Sequence, residues 1–399
     1  MLSPSALERF EVRSQLGAGS FGTVYEALDR QRNRTVALKV LERVAPDTVA
    51  RFKREFRTLA ELRHPNLARL YELIVLGGQW LLTMELVRGS ELLEHLAFVE
   101  LQHSFVQDRI PTLTDFDGDQ TMILTRPAAK KVSPLYIQHI RATFQQLAVA
   151  LSVLHAHGVV HRDIKPSNIM IARDGRVVVL DFGLAVEESL DDTLDRRQVV
   201  GTPGYMSPEQ IAAAAPTAAS DWYSFGVLLF QALTGKMPFE GETAMDVVHN
   251  QLHAEAPDAR DVVRGVPDDL AALALACLER DPLQRPSDME VIERMGVRDF
   301  DPVRSERTRE RATELVGRGR ELRTLRTWLD ALKPGEGRII LIEGSPGVGK
   351  TALLDRFLDA VRAAGDTLIL AGRCQPWESL PFNAVDAIVD ALARELRRS

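Results

Sequence analysis

Two glycine-rich stretches of different design constrain this chain more than anything else in it: LGAGSFGTV at 16–24 and GSPGVGKT at 344–351. Closely spaced glycines let backbone N–H groups approach a ligand, and each pattern needs its own flanking elements. The first sits among β-branched segments over residues 10–41, which read as strand, loop and strands ending in VALKVL. The second follows the apolar run RIILIE and precedes TALLDRFLDAVRAAG, a strand–loop–helix order. At 399 residues the chain is too long for one typical core, so two or more domains are expected.

Between the two loops the pattern changes several times. Residues 48–63 read as a helix with Phe52, Phe56 and Leu59 on one face, and HPN at 64–66 stops it. LARLYELIV and WLLTMEL follow as strands, and Ser133 to His155 reads as a long helix. The polar segment 97–132 between them reads as an insertion. Its TDFDGD stretch is not a calcium loop, because counting from Asp115 the sixth and twelfth positions are Gln120 and Arg126 rather than Gly and Glu. The short strands NIMI and VVVLD precede a polar stretch and a mostly helical region to about 297. Residues 298–314, RDFDPVRSERTRERATE, are dense in mixed charge and read as a linker. From Leu315 a second unit is expected: a helix, the strand RIILIE, the loop, a helix and the strand TLILA.

Net charge is −7, from 49 basic and 56 acidic residues, which argues against nucleic acid or an anionic membrane as the main partner. The two cysteines, Cys277 and Cys374, lie far apart without metal-ligand spacing, which fits a reducing compartment. The opening MLSPSALERFEV lacks a basic region followed by an apolar one, and no run reaches membrane-spanning length. A cytoplasmic protein is the expectation.

The chemistry-bearing residues fall in a fixed order. Gly17, Gly19, Gly22 and Val24 form G-x-G-x-x-G-x-V behind Leu16, and VALK places Lys39 on a strand where its ammonium reaches α- and β-phosphates. The partner of Lys39 is expected on the following helix. At about 100° per residue, Glu55 shares the face of Phe52, Phe56 and Leu59, whereas Glu61 points to solvent. In VVHRDIKPSNIM, Asp163 would orient or accept the proton of an attacking hydroxyl and Asn168 would hold a metal ion. In LDFGLA, Asp181 would bind Mg²⁺. Phosphoryl transfer needs charge neutralised around a loosely bonded phosphoryl group more than covalent help, which explains acids, an amide and a lysine converging from separate segments.

With the closing SPE of GTPGYMSPE, these motifs resemble the bacterial eukaryotic-like (Hanks-type) serine/threonine protein kinases over residues 10 to about 297. The resemblance implies an α+β bilobal kinase fold, with a β-rich N-lobe and a helical C-lobe, over a domain 1–297 with 97–132 inserted. It implies ATP and Mg²⁺ as cofactors and serine or threonine hydroxyls of proteins as substrates. Lys165 would touch the γ-phosphate and Thr202 would bond near Asp163. Glu209 would pair with Arg285, and Asp221 would brace the catalytic loop. Met84 would precede the hinge, with Glu85 and Val87 offering backbone groups to adenine and Val24, Ala37 and Met170 sandwiching the base. Leu59, His161 and Phe182 would stack as a packing spine. Arg162 would belong to a basic pocket for a phosphate on the activation segment, with Thr193 favoured over Ser189 as its site. Glu187, Glu188, Asp191 and Asp192 also crowd that segment, and basal activity before modification is expected.

The second loop matches G-x-x-x-x-G-K-[ST] throughout. Backbone around Gly347 and Gly349, with Lys350, would hold phosphates, and Thr351 would ligate Mg²⁺. ELVGRGRELRTLRTWL upstream resembles the entry segment of AAA-like and STAND-type ATPases. No apolar strand ending in paired acids occurs in 352–399, so a partial P-loop NTPase domain, 315–399, is expected as a regulatory switch, with oligomerisation through it an open option. The competing reading is a nucleotide-driven signalling scaffold with weak or no kinase activity.

Overall fold

The computed structural model of the chain describes residues 2–19, 22–41, 49–107, 132–181, 203–298, 300, 318–332, 335–345 and 349–364, with scattered positions beyond. The chain divides into two compact units, Met1–Val303 and Arg304–Ser399.

The first unit opens with a short helix, α1 (Pro4–Arg9), whose N-terminus is capped by the Ser3 side chain. Strands β1 (Phe10–Gly19), β2 (Gly22–Asp29), β3 (Arg34–Leu41), β4 (Leu70–Leu76) and β5 (Gln79–Met84) follow, with helix α2 (Val49–Glu61) between β3 and β4. They pair antiparallel in the order β1-β2-β3-β5-β4. Side chains alternate across a strand, so β3 divides its residues between two faces. Val36, Leu38 and Val40 join Ala6, Phe10, Ala27, Ile74 and Leu81 in a buried cluster beneath α1. Ala37 and Lys39 take the other face. Cross-strand register places Val24 opposite Lys39 and Met84 opposite Ala37, so these four share that face. The helix period read from Phe52, Phe56 and Leu59 holds: all three are buried on a helix ending at Glu61.

The C-lobe begins with β6 (Gly89–Glu91) and α3 (Leu92–Gln107), then α4 (Pro134–Ala156), β7 (Ile169–Ala172) and β8 (Val177–Val179), with β6, β7 and β8 in one antiparallel sheet. Residues 97–107 of the segment read as an insertion lie in α3, where Val99 is buried; 108–131 lie outside the described residues. The remaining helices are α5 (Pro208–Ile211), α6 (Ala218–Thr234), α7 (Ala244–His253), α8 (Ala259–Val262), α9 (Asp268–Cys277) and α10 (Asp288–Arg294). Helix α6 is apolar on nearly every side and buried almost throughout, as expected of a helix at the centre of a lobe. Phe225 on α6 meets Phe144 on α4 edge to face at 5.3 Å. On the opposite side, Gly226 permits α9 to approach: a Cβ there would lie 2.6 Å from Cys277 Cβ. Among the described residues, no helix is long and apolar enough to cross a membrane.

In the second unit, helices Gly319–Asp330 and Lys350–Ala364 form, and Leu325, Leu353 and Val361 are its buried apolar side chains among those described. The expected strands are not found. RIILIE at 338–343 forms no strand, nor do the described positions of TLILA, and Ile339 and Leu341 are exposed. A strand exists only through its neighbours' hydrogen bonds, and the described residues supply RIILIE with none.

Candidate active site

The loop between α4 and β7 owes its shape to one buried carboxylate. Asp221, in the first turn of α6, accepts the backbone N–H of His161 at 2.7 Å on Oδ2 and that of Arg162 at 2.8 Å on Oδ1. Arg162 adopts φ +69° and Asp181 φ +51°. Left-handed backbone at non-glycine residues costs about 1–3 kcal/mol each and persists where the surroundings fix it. At Arg162 the fixing contacts are Asp221 on its N–H and Gln210 Nε2, which donates to its carbonyl at 2.8 Å.

Beyond that anchor the polar groups gather. Lys165 Nζ lies 2.8 Å from Asp163 Oδ2. A single 3₁₀ turn, Pro166–Asn168, brings Asn168 back onto the loop, where Nδ2 donates to the Asp163 carbonyl at 2.7 Å and to Asp163 Oδ2 at 2.9 Å. The amide orientation is thereby fixed, and Oδ1 accepts no hydrogen bond from the described residues. From the N-lobe, Lys39 Nζ reaches Asp181 Oδ2 at 3.0 Å. Lys39, Asp163, Lys165, Asn168 and Asp181, dispersed in the chain, thus converge in two linked clusters between the lobes.

The adenine-side residues are equally placed. Ala37 and Met84 are buried, Val24 and Met170 half-buried, and Leu16 exposed at the mouth. Glu85 donates its N–H to the Arg69 carbonyl at 2.8 Å, which leaves its own carbonyl and the groups of Val87 for a base. Gly17 has open space around it, whereas a Cβ on Gly22 would meet the Val40 carbonyl at 1.9 Å with φ at +126°. Only glycine fits there. Gly19 closes β1 opposite Gly22.

One expectation is overturned. Among the described residues Lys39 and Glu55 form no ion pair: Lys39 is taken by Asp181, and Glu55 Oε1 lies 3.7 Å from Arg162 Nη2. The helix face was read correctly, but the guanidinium of the catalytic loop competes for the same carboxylate. Arg162 Nε and Nη1 are buried without a hydrogen-bond partner, so Glu55 is its one ion-pair partner among the described residues. Phe182, Glu187, Glu188, Ser189, Asp191, Asp192, Thr193 and Thr202 lie outside those residues. The expected Glu209–Arg285 pair is formed twice over, at 2.7 and 2.8 Å.

A network absent from the sequence reading lies behind the loop. His155, at the end of α4, places Nε2 2.9 Å from Asp221 Oδ2 and Nδ1 2.7 Å from Asp288 Oδ1. Burial disfavours the imidazolium, but the hydrogen bonds to Asp221 and Asp288 outweigh it and push it up to about 9. Burial would raise the Asp221 carboxyl; its hydrogen bond with His155 and the nearby charges hold it below the usual range instead. A histidine ending the apolar run LAVALSVLH was the available signal.

In the second unit Lys350 opens its helix and donates to the carbonyls of Gly344 at 2.7 Å and Ser345 at 3.0 Å, while Gly349 has φ +89°. Gly347 and the Thr351 side chain lie outside the description.

The fold and this arrangement are those of a protein kinase. Residues 10–295 match the protein kinase domain family, and residues 314–399 match the AAA ATPase domain. The chain belongs to the protein kinase family and carries an AAA ATPase region behind the kinase domain. It is similar to the serine/threonine-protein kinase PrkC of Bacillus subtilis, 30% identical over 288 residues, covering 71% of this chain and 39% of that protein. It is 31% identical over 283 residues to PknL of Mycobacterium tuberculosis, covering 70% of this chain and 63% of that one. PkaA of Streptomyces coelicolor is 33% identical over 296 residues, covering 70% and 48%. The chain spans less than two thirds of the length of these relatives.

Proposed function

We propose that the chain is a serine/threonine protein kinase that transfers the γ-phosphoryl group of ATP to protein hydroxyls, with its second unit binding nucleotide as a regulatory module. The observation that carries the reading is the meeting of Lys39 with Asp181 across the lobes beside the Asp163–Lys165–Asn168 cluster.

The residues fit the expected cofactors. Asp181 and the uncommitted Oδ1 of Asn168 are hard oxygen donors of the kind magnesium takes. Magnesium, when bound, would neutralise charge on the phosphates. Lys39 adds positive charge to the α- and β-phosphates and Lys165 to the γ-phosphate. Asp163 orients the substrate hydroxyl and takes its proton, while Asn168 fixes the carboxylate by donating to Oδ2. Oriented charge of this kind, built before the substrate arrives, is the main source of rate in phosphoryl transfer.

The Glu55–Arg162 contact supports regulation by phosphorylation of the activation segment, for which Thr193 is the favoured site. A phosphate drawing Arg162 away would release Glu55 toward Lys39. Because Asp163, Lys165 and Asn168 are already assembled, basal activity before modification is part of this reading.

The test is phosphotransfer from labelled ATP to a generic protein substrate by the full chain. Asp163→Ala should abolish transfer and Lys350→Ala should spare it. Transfer that survives Asp163→Ala but is lost in Lys350→Ala would overturn the assignment.

A further inference from the structure

The buried network behind the catalytic loop does something the proposed chemistry does not yet use. A neutral imidazole has one N–H donor and one acceptor nitrogen, and an ionised carboxylate only accepts. Each ring nitrogen of His155 faces a carboxylate oxygen, Nδ1 that of Asp288 Oδ1 at 2.7 Å and Nε2 that of Asp221 Oδ2 at 2.9 Å. In a neutral ring one of those contacts would set lone pair against lone pair. Both nitrogens therefore carry protons, and this buried histidine, its side chain 3% exposed, is a cation between two anions.

The groups facing the ring come from three elements. Asp221 and Trp222 project from α6, with the Trp222 ring edge-on at 5.6 Å. His161, on the catalytic loop, faces the same Asp221 carboxylate, and Asp288 comes from the start of α10. Asp221 Oδ2 accepts from His155 and from the His161 backbone, and its Oδ1 from the Arg162 backbone. Asp288 Oδ1 also accepts from Trp222 Nε1 at 2.7 Å. Its side chain is 30% exposed, against 1% for Asp221. The relay thus runs from a partly solvated carboxylate on α10, through His155 and Asp221, to the two backbone amides immediately before Asp163.

We propose that Asp288 is a positioning residue for phosphotransfer: by keeping His155 doubly protonated, it lets a fully buried Asp221 stay ionised and hold residues 161 and 162 in place beside Asp163. Asp288 bonds His155 and Trp222 at the start of α10 and none of the residues named around the cleft, so its effect falls on turnover rather than on ATP binding. This rests on the chain acting as a kinase, as proposed above.

The experiment compares the full chain with Asp288→Asn, which keeps the shape and a hydrogen bond but removes the charge. The His155 ring signals are followed across pH in histidine-labelled protein, assigned with His155→Gln, and kcat and KM for ATP are measured over the same range. His155 should stay protonated through neutrality in the parent protein. In Asp288→Asn its titration should fall by about one to three pH units, the range that a single adjacent charge commands. The alkaline limb of kcat should fall with it, while KM for ATP stays within about twofold. Trp222→Phe, which removes the other donor to Asp288 without altering charge, should lower stability and leave the limb where it was. The inference is overturned if His155 in the parent protein titrates below pH 7, if Asp288→Asn leaves its titration unmoved, or if the kcat limb stays fixed while the titration moves. Absence of phosphotransfer in the parent protein would instead sink the functional reading, and the ring titration would still decide the charge of His155.

Discussion

Replacing Glu209 with glutamine tests how much of the C-lobe hangs on one ion pair. Arg285 donates from Nη1 and Nη2 to the two Glu209 oxygens at 2.7 and 2.8 Å, and Ser220 Oγ adds a third bond at 2.7 Å. The Arg285 side chain is fully buried and that of Glu209 is 11% exposed. Burial alone would raise the Glu209 carboxyl, but the hydrogen bonds from Arg285 and Ser220 hold it at about 2. A fall from the ordinary 4.5 to about 2 is worth about 3 kcal/mol of folding free energy, at about 1.4 kcal/mol per pH unit. That agrees with the roughly 3–5 kcal/mol lost when one partner of a buried pair is removed. Glutamine turns an N–H toward Arg285 and leaves the guanidinium without a counter-charge. Glu209→Gln should therefore lose about 3 kcal/mol in urea unfolding at pH 7, or about 6 °C in melting temperature for a domain of this size. Because the folded value is depressed, the contribution is fully present above about pH 4.5 and disappears as the pH falls toward 2. The gap between parent and variant should narrow over that window. A loss under about 1 kcal/mol at pH 7, or a gap that does not narrow in acid, would refute the reasoning. Arg285→Met should cost more than Glu209→Gln, since Arg285 also donates to the carbonyls of Glu279, Ala219 and Arg280.

Other outcomes follow from the packing. Gly226→Ala sets a Cβ 2.6 Å from Cys277 Cβ and should cost about 1–3 kcal/mol by overpacking, read as a lower urea midpoint with the m-value unchanged. Burial pushes the Cys277 thiol up to about 12, so iodoacetamide at pH 8 should leave it unlabelled in the native protein and label it after denaturation, as read by peptide mass spectrometry. Gly22→Ala should raise KM for ATP at least tenfold in steady-state assays, because the added methyl collides with the Val40 carbonyl and φ is +126°.

What the sequence revealed and what it hid divide along a physical line. Helices and strands whose signal is local were legible: Phe52, Phe56 and Leu59 marked the buried face of α2, and the helical pattern from Ser133 to His155 marked α4. The residues proposed as catalytic could be picked out because each sits in a short motif, as Asp163 and Asn168 do in HRDIKPSN. Pairings decided by tertiary competition were not. Helical phase pointed Glu55 inward but could not say whether Lys39 or Arg162 would claim it. His155 and Asp288 are bound together only by the fold. RIILIE has every local mark of a strand, yet strand status belongs to a pair, and the described residues give it no partner. Helix α1 begins at a Ser3–Pro4 cap, but with six residues it is too short to show a helical period.

That small helix sets where the kinase unit can be cut. Its last residue, Arg9, is the counter-charge for two carboxylates at once, Asp29 at 2.8 Å and Glu72 at 2.6 Å, both nearly inaccessible to water. A version trimmed to begin at Phe10, where the family match starts, would take the guanidinium from Asp29, leaving that buried carboxylate the backbone N–H groups of Gln31 and Arg32, and would remove the 2.6 Å ion pair from Glu72. It would also unroof Phe10. Such a trimmed protein should take up a proton on folding, because Arg9 is the electrical ground of the N-lobe.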